Sequence, residues 1–240
     1  MRVHLVRLPT ARPYDVAALD YEPSRPRGVT LVAGHGYSSS KHNLDPLCAF
    51  LAGHGYRIVS VDFPGHKLGA TGGRLAGPDD LVATMAAAVG HARREGGAAF
   101  VYTLGHSMGA TTALRACALD PAVAGAVSIA TGYGRPTALR ALGLRSSVDL
   151  RASYVDGLTL PELVAELEPL LDGVLAALAG RPVLYVAADR DAMVSPASAR
   201  ELFERAPEPK SFATVASDHT YAGERARAAV LAWLNERHPR

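Results

Sequence analysis

The spacing of hydrophobic and polar positions changes period along the chain, and each change predicts an element. Val3, Leu5, Val6 and Leu8 stand among polar neighbours, which predicts a strand over residues 2–8. Residues 14–21 can pair with it as a second, half-exposed strand. Residues 28–33 are nearly all apolar, as in a central strand covered on both faces. Leu44, Leu47, Phe50 and Leu51 then give a helical face, with Asn43 read as its N-cap and Gly53 and Gly55 at its end. A strand over 56–61 closes at Asp62. Pro78-Asp79-Asp80 opens a helix with acids in its first turn and Arg93-Arg94 in its last, matching the helix dipole. Strands over 98–104, 123–129, 182–188 and 211–215 alternate with helices over 110–119, 196–205 and 222–237. In the last helix Ala226, Val230 and Trp233 form the stripe that faces inward.

Strand and helix alternating in this way predict an α/β fold, a predominantly parallel sheet with helices on both faces, because right-handed crossovers must cover it. At 240 residues one domain is a natural size. The exception to the alternation is the stretch 132–180, whose strand signal is weak. Its Leu163, Leu167, Leu170, Leu171, Leu175 and Leu178 have helical spacing. This stretch is expected to be a small helical insertion between core strands, either a lid over the strand ends or plain crossover helices.

In an open parallel sheet, reactive groups gather beyond the carboxyl ends of the strands. Sorted by that rule, Ser107, Asp189, Asp191, His219 and the segment His35-Gly36-Tyr37 fall on one edge. Ser107 sits in Gly105-His106-Ser107-Met108-Gly109, between a buried strand and a helix, where side chains two residues either side of the serine would crowd the turn. A serine hydroxyl is a weak nucleophile until a histidine takes its proton, and the histidine needs a carboxylate to fix its tautomer. Ser107 is therefore expected to be the nucleophile and His219 the general base and acid. Asp191 is the favoured carboxylate, being deeper in its loop than Asp189, which is expected to act as a cap or as a partner of Arg190. Asp218 adjoins His219, and neighbouring side chains diverge. The backbone N–H groups of Met108 and Tyr37 lie where an oxyanion would need donors.

These segments resemble the serine hydrolases of the α/β-hydrolase fold, in the compact esterase, thioesterase and acyl-peptidase group, over nearly the whole chain. Gly105 to Gly109 is similar to the family's nucleophile elbow, and Gly34-His35-Gly36-Tyr37 to its His-Gly oxyanion loop. The Tyr37 assignment is carried over from that loop. Ala188 to Val194 resembles Gly-x-x-Asp-x-x-Val with Ala188 in place of glycine, which supports Asp191. Asp62-Phe63-Pro64-Gly65-His66 is similar to Asp-x-x-Gly-His. The family commonly continues with Gly-x-Ser, whereas this chain has Lys67-Leu68-Gly69, a departure expected at the rim of the pocket.

The resemblance implies acyl transfer to water through an acyl-enzyme on Ser107, with a small-molecule acyl substrate. Carboxylic esters of small to medium apolar acyl groups come first, thioesters and acyl-peptide amides second. A catalytically silent binding protein on the same scaffold is the alternative of another class. An oxidoreductase would need Gly-x-Gly-x-x-Gly where this chain has Gly34-His35-Gly36-Tyr37-Ser38-Ser39. The nine histidines form no compact ligand spacing, so neither metal nor cofactor is expected. A net charge of +2 with scattered basic residues gives no footprint for nucleic acid. No run reaches a membrane span and the start lacks a signal-peptide pattern, so a cytoplasmic location is expected. Cys48 and Cys117 make neither a metal spacing nor a disulfide framework, though one bridge between them stays open. Oligomeric state is not legible.

Overall fold

The computed structural model describes residues 1–95, 97–134 and 153–239. Its strands are β1 (Arg2–Leu8), β2 (Val16–Glu22), β3 (Val29–Gly34), β4 (Arg57–Val61), β5 (Phe100–His106), β6 (Val123–Ile129), β7 (Val183–Ala188) and β8 (Lys210–Val215). They form one sheet in the order β1-β2-β4-β3-β5-β6-β7-β8. β1 and β2 are antiparallel, β2 meets β4 antiparallel, and every pairing from β4 to β8 is parallel. The helices are α1 (Asp45–Gly53), α2 (Pro78–Arg94), α3 (Met108–Leu119), α4 (Leu160–Leu167), α5 (Leu171–Ala177), α6 (Pro196–Arg205), α7 (Ala222–Arg225) and α8 (Arg227–Arg237). This is the α/β-hydrolase fold.

Alternation along the strands divides the core in two. Leu31, Ala33 and Ile58 point to one face, where Leu47 and Leu51 of α1 and Val230 and Trp233 of α8 cover them. Val32, Val59 and Val61 point to the other, under Leu81 and Met85 of α2 and Ala113 and Leu114 of α3. Each fully buried aliphatic side chain here stabilises the fold by roughly 1.5–3 kcal/mol relative to exposure.

Five local readings change. β2 is buried rather than half-exposed, because it lies between β1 and β4; the exposed edge is β1, with Val3 and Leu5 in solvent. Asn43 is not an N-cap: residues Lys41–Leu44 make a 3-10 turn, and α1 begins at Asp45 with Leu44 in the cap position. β5 runs on to His106 because both neighbours continue to pair with it, Gly34 opposite Gly105 and Ile129 opposite His106. α3 then starts at Met108, so Ser107 alone makes the turn. The final helix is interrupted at Ala226.

Part of the 132–180 insertion, residues 135–152, lies outside the described residues. In the rest, Leu163, Leu167, Leu171, Leu175 and Leu178 turn into the core beside α2 and α3, while Leu170 is exposed. Cys48 and Cys117 are buried and unbridged, with burial pushing each thiol up to about 12. Among the described residues no helix is long and apolar enough to cross a membrane.

Candidate active site

Ser107 stands at φ 56° and ψ −116°, a conformation that a side chain disfavours and that the surroundings must impose. Three constraints do so. The Ser107 N–H donates to the Ile129 carbonyl at 2.9 Å, extending the strand ladder by one rung. A Cβ at Gly105 would overlap the Gly109 carbonyl, and one at Gly109 would overlap the carbonyls of Gly34 and His35. Strand β5, helix α3 and the loop after β3 therefore meet backbone to backbone. Gly109→Ala is expected to destabilise the protein by more than about 3 kcal/mol, the upper range for overpacking, because rigid backbone blocks the new methyl. Gly72→Ala, with open space around it, should leave the thermal midpoint almost unchanged in the same calorimetric comparison.

The loops after β5, β7 and β8 bring Ser107, Asp191 and His219 together. His219 Nδ1 lies 2.7 Å from Asp191 Oδ2, and His219 Nε2 lies 3.0 Å from Ser107 Oγ. An ionised carboxylate only accepts, so Nδ1 carries the proton and Nε2 presents its lone pair to the serine hydroxyl. The other Asp191 oxygen accepts from the N–H groups of Met193 and Val194, at 2.8 and 2.7 Å. With its side chain 1% exposed, Asp191 is held from both sides. Asp189 instead accepts from Ser217 N–H at 2.9 Å and stands 3.6 Å from Arg190 Nε. Asp218 caps the turn at Tyr221 N–H.

His106 anchors the histidine loop to the elbow. Its Nε2–H donates to the His219 carbonyl at 2.7 Å, with the two rings 5.0 Å apart. Burial, then the neighbouring His219, lower its pKa from 6.5 to about 4. His35 is enclosed in the same way: its Nδ1–H donates to Gly36 O, and its Nε2 accepts from Phe63 N–H. Burial and then His66 lower it to about 3. Both rings are neutral in the fold and protonate near 6.5 when it opens. Between about pH 6.5 and 4 the unfolded chain therefore binds more protons, and stability falls as pH drops through that window. Urea titrations should display this fall, and His35→Gln should flatten it.

The Gly36-Tyr37 backbone lies against the elbow: a Cβ at Gly36 would sit 3.4 Å from Ser107 Cβ. Among the described residues neither the Tyr37 N–H nor the Met108 N–H has a hydrogen-bond partner; the latter is an orphan donor of the first turn of α3. The Tyr37 hydroxyl donates to Leu158 O at 3.0 Å, which ties this loop to the insertion. Burial and then Glu162 push that phenol up to about 12.

Behind the loop lies a pair whose partnership the sequence did not reveal. Lys41 and Asp62 are 3% and 0% exposed, with Lys41 Nζ 2.5 Å from Asp62 Oδ2. Asp62 also accepts from the N–H groups of Lys41 and Ala70. Burial alone would raise its carboxyl, but the Lys41 ammonium and these N–H donors hold it below the usual range. Gly69 is required because any Cβ there would press on the Asp62 carboxylate. The pair follows from the Asp62 motif only once Lys41, 21 residues earlier, is known to face it.

Ser107 and His219 open onto a cleft of about 590 Å³. Ser38, Ser39, Ser40 and Asn43 line it, together with Leu68, Tyr154, Leu160 and Met193. The Lys67-Leu68-Gly69 departure thus reaches the rim through Leu68. Among the described residues no cluster of His, Cys, Asp and Glu could hold a metal ion.

The profile of the family described as serine aminopeptidase, S33, matches residues 24–165, more than half of the chain. None of the curated proteins matches the chain in sequence. Among solved structures, the fold is shared with the Pyrococcus furiosus esterase Pf2001, at TM-score 0.73 and 18% identity over 99% of this chain and 89% of that one. It is also shared with the esterase domain of a Rhodothermus marinus protein, at TM-score 0.70 and 22% identity over 98% and 99%. Est1E from Butyrivibrio proteoclasticus aligns at TM-score 0.70 and 15% identity over 97% and 98%. The chain belongs to the serine aminopeptidase S33 family of α/β hydrolases, and it is a hydrolase.

Proposed function

We propose that the protein is a serine carboxylesterase acting on esters of small to medium apolar acyl groups. The observation that carries this reading is the hydrogen-bonded chain Ser107–His219–Asp191 at the mouth of the cleft. Ser107 Oγ attacks the ester carbonyl while His219 Nε2 takes its proton, and Asp191 stabilises the imidazolium that forms. The N–H groups of Tyr37 and Met108 receive the charge on the carbonyl oxygen, a term worth about 3 kcal/mol per donor. Collapse expels the alcohol with the proton from His219. Water activated by the same histidine then releases the acid and restores Ser107.

The apolar side chains Leu68, Leu160 and Met193 suit a short acyl chain. The reading takes residues 1–240 as one domain, with 132–180 as a small lid or crossover bordering the cleft through Tyr154 and Leu160. Structural likeness to proteins named as esterases supports an ester substrate. The family's description as an aminopeptidase makes amide cleavage the second reading.

A panel varying acyl length and leaving group across esters, thioesters and aminoacyl amides tests this directly. Ester turnover should exceed the other classes, and amide turnover above ester turnover would overturn the assignment. Asp191→Asn should lower kcat by about 10⁴, the cost of a wrong histidine tautomer. Asp189→Asn should leave kcat within a few-fold, since its carboxylate serves a backbone N–H. Equal losses would sink the choice of carboxylate.

A further inference from the structure

Four polar side chains on one wall of the cleft are unengaged. Ser38, Ser39, Ser40 and Asn43 line it, and none makes a side-chain hydrogen bond among the described residues. Ser40 holds the N-cap position of a 3-10 turn, where serine ordinarily bonds back to the helix, yet it makes no such bond. Ser38 and Ser40 are 6% and 8% exposed. Neither Oγ is among the fully buried unpartnered atoms, so both hydroxyls are open to the cleft and free to bond what enters it. Ser38 also has φ 56°, a costly conformation that persists where the surroundings over-determine it. Leu68, Tyr154, Leu160 and Met193 also line the cleft, and among the described residues no Asp, Glu, Lys or Arg lines the space.

From this we infer that Ser38, Ser39, Ser40 and Asn43 form a subsite for an uncharged, hydroxyl-bearing part of the ester. The inference rests on the esterase reading and narrows it. Substrate hydroxyls donate to the serine oxygens and to Asn43 Oδ1, and they accept from Asn43 Nδ2. A free ammonium or a phosphate would meet no counter-charge among the described lining residues. The hydroxyls can belong to the alcohol or to the acyl group.

Two matched substrate pairs separate those sources. Glycerol monobutyrate against propyl butyrate varies the alcohol, and methyl 3-hydroxybutyrate against methyl butyrate varies the acid. Wild-type kcat/KM should favour the hydroxylated member of one pair by about fivefold or more, the worth of a net hydrogen bond. Ser40→Ala and Asn43→Leu should each move that ratio towards one; Asn43 is exposed, so its variant is expected to fold. A wild-type ratio near one in both pairs would overturn the subsite, as would a ratio that neither substitution moves. No turnover of any of the four esters would overturn the esterase reading and the subsite with it.

Discussion

Ser107→Ala should lower turnover by a factor on the order of 10⁶, the loss seen when a hydrolase nucleophile acting as part of a unit is removed. The missing oxygen is the atom that His219 Nε2 faces at 3.0 Å. The His219–Asp191 bond, the His106 anchor and the backbone contacts at Gly105 and Gly109 do not depend on it, so the loss should appear in kcat with the fold intact. The strain at this position gives a second readout. Glycine tolerates φ 56° where serine and alanine do not, so Ser107→Gly should be as inactive as Ser107→Ala and more stable by about 1 kcal/mol or more. Activity and stability measured together separate a nucleophile held under strain from a serine that merely packs in a turn.

The second large effect is expected at a site with no role in the chemical steps. Asp62→Ala leaves the Lys41 ammonium buried without its partner and removes the acceptor of two backbone N–H groups. Breaking a buried ion pair from one side costs about 3–5 kcal/mol. In a chain of this size that corresponds to a fall of about 10 °C in Tm. Combining Asp62→Asn with Lys41→Met removes both charges and keeps an acceptor for one of the two N–H groups. The double variant should recover more than half of the loss, by the same reasoning that makes removal of a whole buried pair far cheaper than removal of one member. Thermal melts of the two variants beside wild type check both statements.

How much of this was legible in the chain follows from how local each signal is. β6 and α6 were read to the residue, because apolar runs and a Pro196 start are written in adjacent positions. The end of β5 was not, because pairing to β3 and β6 sets it. Asn43 has the right residue type for a cap, yet the chain tightens into a 3-10 turn there, and propensity gave way to tertiary context. Ser107, Asp191 and His219 could be placed on one sheet edge from strand order alone, although their distances could not. His106 is visible in the chain only as a member of the elbow, while its hydrogen bond to the His219 carbonyl depends on a loop 113 residues away. Lys41 with Asp62 and the unengaged serines at 38–40 stayed hidden for the same reason: long-range contact decides whether a lysine is buried or a serine caps.

Acyl transfer by this site requires Ser107 to be the nucleophile. Intact-mass spectrometry and peptide mapping after treatment with a fluorophosphonate ester measure it most directly. One phosphonyl adduct is expected, on Ser107 of wild type, formed more slowly in His219→Ala and absent in Ser107→Ala. An adduct on another residue, or undiminished labelling of Ser107→Ala, would contradict it.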